Sequence, residues 1–250
     1  DPKLVNHVVM GTTISNVKTG NVAREAAITA GVPHTTPCHT VTMACISANQ
    51  AITSGYNMIK TGEADIVIAG GTDTISDAPI QFPKKMRRKL YKAQKLKTMG
   101  EKLKFIASIR PSDFIPEAPA VAEYITGRTM GYDCELLASR IGVSREEQDE
   151  FAARSHQLAA QNKDKLAEEI VPVEVPPKFK QITEDNGVRG DSTKEKMAKL
   201  KPAFVKPHGT ITAANASFLT DGASATMIMS EEKALELGLK PKTILHSFAY

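Results

Sequence analysis

Between His39 and Ala69 the sequence changes period twice, and that limits what the chain can fold into. His39 to Met43 alternates and is rich in Thr and Val, which predicts a strand. Ser47 to Lys60 is Ala-rich, with apolar residues at Ala48, Ala51, Ile52 and Met58 and Gly62 just beyond, which predicts a helix. Ala64-Asp-Ile-Val-Ile-Ala69 is a continuous apolar run, as expected of a strand buried on both faces. Upstream, Val5 to Met10 predicts another strand. Asn21 to Ala30 predicts a helix capped by Asn21 and stopped at Gly31. Strand, helix, strand, helix, strand implies a parallel α/β layer. Gly70-Gly71 is expected to turn the chain at the carboxyl end of the third strand, where open α/β sheets place their sites.

Cys45 falls at the strand-to-helix turn of this unit. Helix N-termini present unsatisfied N–H groups and a positive dipole end, so the place favours a thiolate. Ala44, Ser47 and Ala48 are small and allow close approach. Two readings fit: an inert buried thiol, or a nucleophile.

The rest of the composition narrows the class. At 250 residues, with 41% hydrophobic and 24% charged residues, the chain has room for one or two ordinary globular domains. Its three cysteines, Cys38, Cys45 and Cys134, are scattered and odd in number, against a disulfide framework and for a reducing compartment. No Cys/His spacing suits a metal, and no apolar run is long enough to span a bilayer. The chain opens Asp1-Pro-Lys-Leu, without Met or a signal pattern, and is expected to be mature or cut at its start.

From Pro83 the character changes. Eleven lysines and arginines lie between Lys84 and Arg110 against one acid, Glu101, in a chain whose net charge is +4. Met86, Leu90, Ala93, Leu96, Met99, Leu103 and Ile106 recur at spacings of three and four, which predicts a basic helix with one apolar face. Such a helix suits an anionic membrane surface; a solvated helix packed on its own protein is the alternative. Nucleic acid is the lesser alternative, because only Tyr91 and Phe105 stand among the charges. Ile109 to Pro119, with three prolines, is expected to be the apolar tip or the return arm of a hairpin.

Further on, Glu135–Arg140 predicts a helix stopping near Gly142, and Ser144-Arg-Glu-Glu147 is a capping box opening a helix to about Leu166. Ile170–Val175 predicts a strand, Phe179–Lys196 is turn-rich, and Ala223–Met229 predicts a buried strand. Ser230 caps a helix to Leu237, and Thr243–Tyr250 is expected to begin another strand.

Four stretches carry a resemblance. Thr42-Met-Ala-Cys-Ile-Ser-Ala48, Ala69-Gly-Gly-Thr-Asp-Thr-Ile-Ser-Asp-Ala-Pro79, Met197-Ala-Lys-Leu-Lys-Pro-Ala-Phe204 and Gly209-Thr-Ile-Thr-Ala-Ala-Asn-Ala-Ser217 resemble, in order, blocks of the thiolase family. The resemblance implies a thiolase-like layered α/β fold: a partial N-terminal core with an inserted mixed α/β loop domain. Residues 1–82 would be the core, 83–208 the inserted domain with a membrane-binding segment at 83–119, and 209–250 the return to the core. It makes Cys45 the nucleophile of 3-ketoacyl-CoA thiolysis, with no permanently bound cofactor and coenzyme A as co-substrate. It gives CoA contacts to Met130, Arg189, Phe204, Ala213 and Ser217; for Met130 a core residue, and for Arg189 an exposed structural arginine, stand as alternatives. Asp73 stands where many thiolases carry glutamate, and its role stays open. No histidine among His34, His39, His156, His208 and His246 is selected by spacing as a base.

The branch most resembled is the membrane-associated thiolase subunit of mitochondrial fatty-acid β-oxidation. That implies a homodimer, a hydratase/dehydrogenase α subunit as partner, and a peripheral place on the inner mitochondrial membrane. The family's Gly-His-Pro, Cys-x-Gly-Gly-Gly and Asn- or His-Glu-Ala-Phe blocks do not occur in this sequence, so it looks like a thiolase cut at both ends and inactive by itself. A non-catalytic CoA- or lipid-binding fragment and a soluble acetoacetyl-CoA thiolase are the competing expectations. The Ala213–Ser217 block speaks against a ketosynthase.

Overall fold

The computed structural model describes residues 1–249. Its strands are β1 (His7–Gly11), β2 (Cys38–Val41), β3 (Ile66–Asp73), β4 (Val173–Val175), β5 (Lys180–Ile182) and β6 (Gly222–Met229). Its α-helices are α1 (Val22–Thr29), α2 (Ser47–Lys60), α3 (Lys84–Ala93), α4 (Met99–Ser108), α5 (Met130–Ile141), α6 (Arg145–Gln161), α7 (Lys163–Ala167), α8 (Lys194–Met197) and α9 (Glu231–Glu236). The chain divides into two compact units, one of residues 1–119 with 219 onward, the other of residues 120–218.

The first unit is built on a four-stranded sheet of order β2-β1-β3-β6. β1 pairs parallel with β2 and with β3, as a strand–helix–strand sequence requires, and β6 joins antiparallel to β3. The twofold alternation of β1 divides the core. Val8 and Met10 point to one face, where Ala23 and Ala27 of α1 cover them with Val5 and Val32. Val9 points to the other, against Ala51 of α2, Val67 and Ala69. Full burial of one such Val contributes roughly 1.5–3 kcal/mol. Asn21 caps α1 by accepting the Arg24 N–H, and its amide reaches across to the Cys38 carbonyl and Thr40 Oγ1, tying α1 to β2.

Three expectations are corrected in this unit. Gly70-Gly71 makes no turn: β3 runs straight through it to Asp73, paired on both sides with β1 and β6. A Cβ on Gly70 would lie 2.0 Å from the Ser224 carbonyl oxygen, so these glycines serve close approach rather than a bend. β6 forms over the expected stretch but is largely exposed, as the outer strand of the sheet that these residues build. Residues 243–249 form no strand, and Tyr250 lies outside the described residues.

The basic segment belongs to this first unit, not to the inserted one. It is not one helix: α3 ends at Ala93 and α4 restarts at Met99, where Thr98 and Glu101 form a capping box. Residues Ile109–Pro119 are the return arm. Gln81 and Glu117 exchange both backbone hydrogen bonds at its base, and the buried Asp113 carboxylate holds Lys89 at 2.6 Å and Lys85 at 3.6 Å. Met86 is buried, whereas Met99, Leu103 and Ile106 of α4 are more than half exposed.

The second unit holds α5, α6, α7, α8 and an antiparallel hairpin of β4 and β5. Thr129 and Gly142 bound α5, Gly142 at φ +75°, and Ser144 and Glu147 form the capping box that opens α6. The helix expected to reach Leu166 stops at Gln161, and α7 follows. β5 and α8 arise within the stretch read as turns. Two carboxylates are buried here and tie the Gly209–Ala216 loop down. Glu135 accepts from the Thr210 and Ile211 N–H groups, and Asp149 accepts from Arg145 and Asn215.

Candidate active site

β2 ends at Val41, and the chain reaches α2 through a tight turn that carries Cys45. The residue before the cysteine, Ala44, has φ +45°, in the left-handed region a side chain normally avoids. That conformation costs on the order of 1 kcal/mol and must be held by its surroundings. Ser47, almost wholly buried, holds it: its hydroxyl accepts the Met43 N–H at 2.8 Å and donates to the Ala44 carbonyl at 2.6 Å. The turn's own backbone adds Ile46 N–H to Met43 and Ser47 N–H to Ala44. Cys45 is exposed, two residues before the first residue of α2.

The turn sits low on the sheet because the sheet has no side chains beneath it. A Cβ on Gly11 would lie 2.3 Å from the Ser47 carbonyl carbon, and one on Gly71 would lie 2.9 Å from Ala48 Cβ. Glycine at these two strand positions lets the first turn of α2 rest on the backbones of β1 and β3. The result is a shallow pocket of about 330 Å³ at the carboxyl ends of the parallel strands, lined by Cys45, Thr13, Ala48, Asp73, Thr220 and Ser224 among others. A larger hollow of about 450 Å³ lies on α3, lined only by Lys84, Lys85, Arg88, Lys89 and Lys92, remote in character from this chemistry.

Asp73, whose role the sequence left open, lines the same pocket. Its Oδ1 accepts from the Thr12 hydroxyl at 3.0 Å and from the Thr13 and Ile14 N–H groups at 2.8 and 3.1 Å. Burial alone would raise its pKa, but these donors together hold the carboxyl below its ordinary value. Cys38 behaves as a structural thiol: burial pushes its pKa up, against a smaller opposing pull from Arg24, and its Sγ meets the Thr36 carbonyl. Cys134 is exposed on α5. His39, one of the histidines scanned for a base, instead pairs with His7 at 2.9 Å, a residue the sequence reading passed over. Among the described residues no group of three or more His, Cys, Asp or Glu is placed to hold a metal.

The five residues assigned to CoA by resemblance all fall in the second unit. Met130 opens α5 and is exposed, and its neighbour Gly131 lies against the Phe204 ring, where a Cβ would meet ring carbons at 2.3 Å. Ala213 is exposed on the loop that Glu135, also on α5, holds by its backbone. Arg189 turns its guanidinium onto the carbonyls of Asn186 and Val188 in its own loop, while its N–H meets His156 Nδ1 at 3.2 Å. Ser217 is exposed, and Phe218 after it covers Gly187. So α5 gathers Met130, Phe204 and the Ala213 loop, and Arg189 and Ser217 sit near a second loop. The sequence marks Ser47 only as a small residue and Glu135 only as a helix start, and gives Thr13 no role, since a hydroxyl or carboxylate carries no signal until the turn it holds is known.

Residues 1–232 match the family model described as "Thiolase, N-terminal domain". The chain is 53% identical over 249 residues to the mitochondrial trifunctional enzyme subunit beta of Homo sapiens, covering 99% of this chain and 52% of that protein. It is 52% identical over 248 residues to a probable 3-ketoacyl-CoA thiolase of Caenorhabditis elegans, covering 98% and 55%. The crystal structure of Bacillus anthracis acetyl-CoA acetyltransferase superimposes with a TM-score of 0.77 at 34% identity, covering 96% of this chain and 58% of that one. The chain spans about half the length of the curated relatives it matches. With a family model that takes in nearly every residue and a thiolase-like α/β fold beneath it, the chain belongs to the thiolase family.

Proposed function

We propose that this chain supplies the nucleophilic half of a 3-ketoacyl-CoA thiolase of fatty-acid β-oxidation. The observation that carries the proposal is Cys45, exposed on a strained turn at the mouth of a pocket whose floor is glycine. The Cys45 thiolate adds to the keto carbon, and the developing oxyanion is met by N–H dipoles. Collapse breaks the bond between the second and third acyl carbons. Its electrons leave with acetyl-CoA as an enolate, which takes up a proton. The thiolate of a second CoA then attacks the Cys45 thioester, releasing the shortened acyl-CoA and regenerating the thiolate. Met130, Arg189, Phe204, Ala213 and Ser217 are proposed to contact coenzyme A. The family's proton-handling His and second Cys blocks are absent from these residues, so residues 1–250 alone are expected to show no turnover. Cys45→Ala in the intact protein must abolish thiolysis; retained thiolysis removes the proposal.

The basic arm supports a finer placing. α3 presents Lys84, Lys85, Arg88, Lys89 and Lys92 together, while Met99, Leu103 and Ile106 of α4 and Phe114 and Ile115 of the return arm are exposed. Cations beside exposed apolar side chains suit an anionic bilayer surface. No helix among the described residues is long and apolar enough to cross a membrane. We infer a mitochondrial, peripheral inner-membrane enzyme, homodimeric and partnered by a hydratase/dehydrogenase α subunit; the names of its relatives support the mitochondrial place and the role of a beta subunit beside an alpha one. Flotation with anionic liposomes at low salt tests the surface, and failure to float would leave a soluble acetoacetyl-CoA thiolase as the reading.

A further inference from the structure

We propose that Asp73 is a positioning residue, which sets the direction of the Cys45 side chain through Thr13 and Ala44. The Cys45 turn depends on Ala44 keeping a left-handed φ of +45°, and its carbonyl is what its neighbours hold. Two hydroxyls donate to that oxygen: Ser47 from inside the helix, at 2.6 Å, and Thr13 from across the pocket, at 3.2 Å. Ser47 lies within the turn it stabilises, and its hydroxyl also reaches the Thr12 carbonyl at 3.4 Å. Thr13 lies outside the turn, and its own N–H is held by Asp73 Oδ1 at 2.8 Å. The same oxygen takes the Thr12 hydroxyl and the Ile14 N–H, so three consecutive residues after β1 converge on one atom at the end of β3. The line Asp73, Thr13, Ala44 is therefore an external brace of the turn, running from the last residue of β3 to the residue before Cys45. A carboxylate suits this because a single oxygen can accept several donors at charge-assisted strength. β3 fixes its height, since Thr72 and Asp73 are paired with Ala223 and Gly222 of β6.

The kinetic part of the test rests on the thiolytic reading, and a second readout does not. In the intact protein, Asp73→Ala is expected to lower kcat for 3-ketoacyl-CoA at least tenfold with KM changed by less than threefold. It is also expected to slow alkylation of Cys45 by iodoacetamide, followed by mass spectrometry, by a similar factor. Asp73→Asn keeps an acceptor oxygen in place and is expected to recover most of both rates. A merely structural role would lower the melting temperature and leave both rates of the folded protein unchanged. If Asp73→Ala does not fold, Thr13→Val, which removes only the hydroxyl that reaches Ala44, carries the test and is expected to slow both rates in the same direction. Folded Asp73→Ala or Thr13→Val protein with wild-type alkylation overturns the proposal. Absence of thiolysis in the unmodified intact protein, with alkylation still sensitive to Asp73, would refute the thiolytic reading and leave the brace standing.

Discussion

Glu135→Ala asks how firmly the second unit holds its Gly209–Ala216 loop. The Glu135 carboxylate, 8% exposed, accepts the Thr210 N–H at 2.9 and 2.8 Å on its two oxygens, the Ile211 N–H at 2.8 Å and the Thr210 hydroxyl at 2.9 Å. After truncation the Thr210 hydroxyl still accepts from the Gln148 amide at 3.0 Å, but its own O–H and both N–H groups lose their acceptor in a segment where Ile211 is buried. Hydrogen bonds to a charged acceptor contribute about 1.5–3 kcal/mol each, and the two together set an upper range of about 3–6 kcal/mol. Alanine also removes the desolvation of the carboxylate, so the expected net loss is about 3 kcal/mol at pH 7, and Glu135→Gln, keeping one oxygen, should lose about half of it. Burial works to raise the Glu135 pKa, but the Thr210 and Ile211 donors, helped by Arg145, bring it below the ordinary glutamate value. A carboxyl lowered in the folded state stabilises above its unfolded pKa of about 4.3, and that contribution is lost as pH falls through the folded pKa. The deficit of the variant should therefore shrink in acid. Urea unfolding followed by far-UV circular dichroism suits a chain with no Trp, and hydrogen exchange of a 205–216 peptide locates the loss. A deficit under about 0.5 kcal/mol at pH 7, where the bonds should count fully, would refute the argument. So would a deficit unchanged at pH 3.5.

Gly11→Ala would drive a Cβ into the Ser47 and Ala48 backbone at 2.3–2.5 Å; a loss of about 3 kcal/mol is expected from thermal melts, with Cys45 alkylation altered as well. Asn21→Ala removes the α1 cap and the bonds to Thr40 and Cys38; about 2 kcal/mol should be lost by urea titration, and Asn21→Asp should restore the cap share, roughly 1 kcal/mol. His7 is held below the usual imidazole range by burial first and the His39 charge next, with Glu63 opposing. Its contribution is present above the unfolded value of about 6.5 and lost as pH falls below it, so His7→Gln should flatten the stability profile between about pH 7 and pH 5.

The elements legible in the sequence were those whose ends carry their own local chemistry. Asn21 and Gly31 bound α1, Gly62 follows α2, Ser144 with Glu147 opens α6, and Ser230 opens α9. The errors fall where a distant partner decides. Gly70-Gly71 looks like a turn until β6 and α2 are present to need its missing side chains. In the basic arm the apolar spacing runs on past Ala93, but the Thr98–Glu101 capping box starts a new helix there. Around the proposed site, the strand-to-helix turn that carries Cys45 was legible, whereas the groups that hold it were not. Thr13 and Asp73 are sixty residues apart in sequence, and nothing local predicts that one oxygen will gather residues 12–14.

β3 shows why a strained turn of this kind takes so much of the sheet. In its first half Ile66, Val67 and Ala69 are buried to 2% or less; Val67 and Ala69 pack on the α2 side of the core, and Ile68 packs on the α1 side. Its second half has almost no side chain to bury, because anything larger than hydrogen at Gly70 or Gly71 would displace β6 or α2. That half adds little hydrophobic stability, roughly none for the glycines, and holds its place through ladder bonds on both sides. It ends in Asp73, whose carboxylate binds the loop after β1. A strand with Val or Ile throughout would make a more stable sheet, but α2 could not then come down far enough to set Ala44 and Cys45 where they are. The low, glycine-floored end of the sheet and the left-handed Ala44 are thus one device, and removing either the floor or the brace should disturb the cysteine before it unfolds the strand.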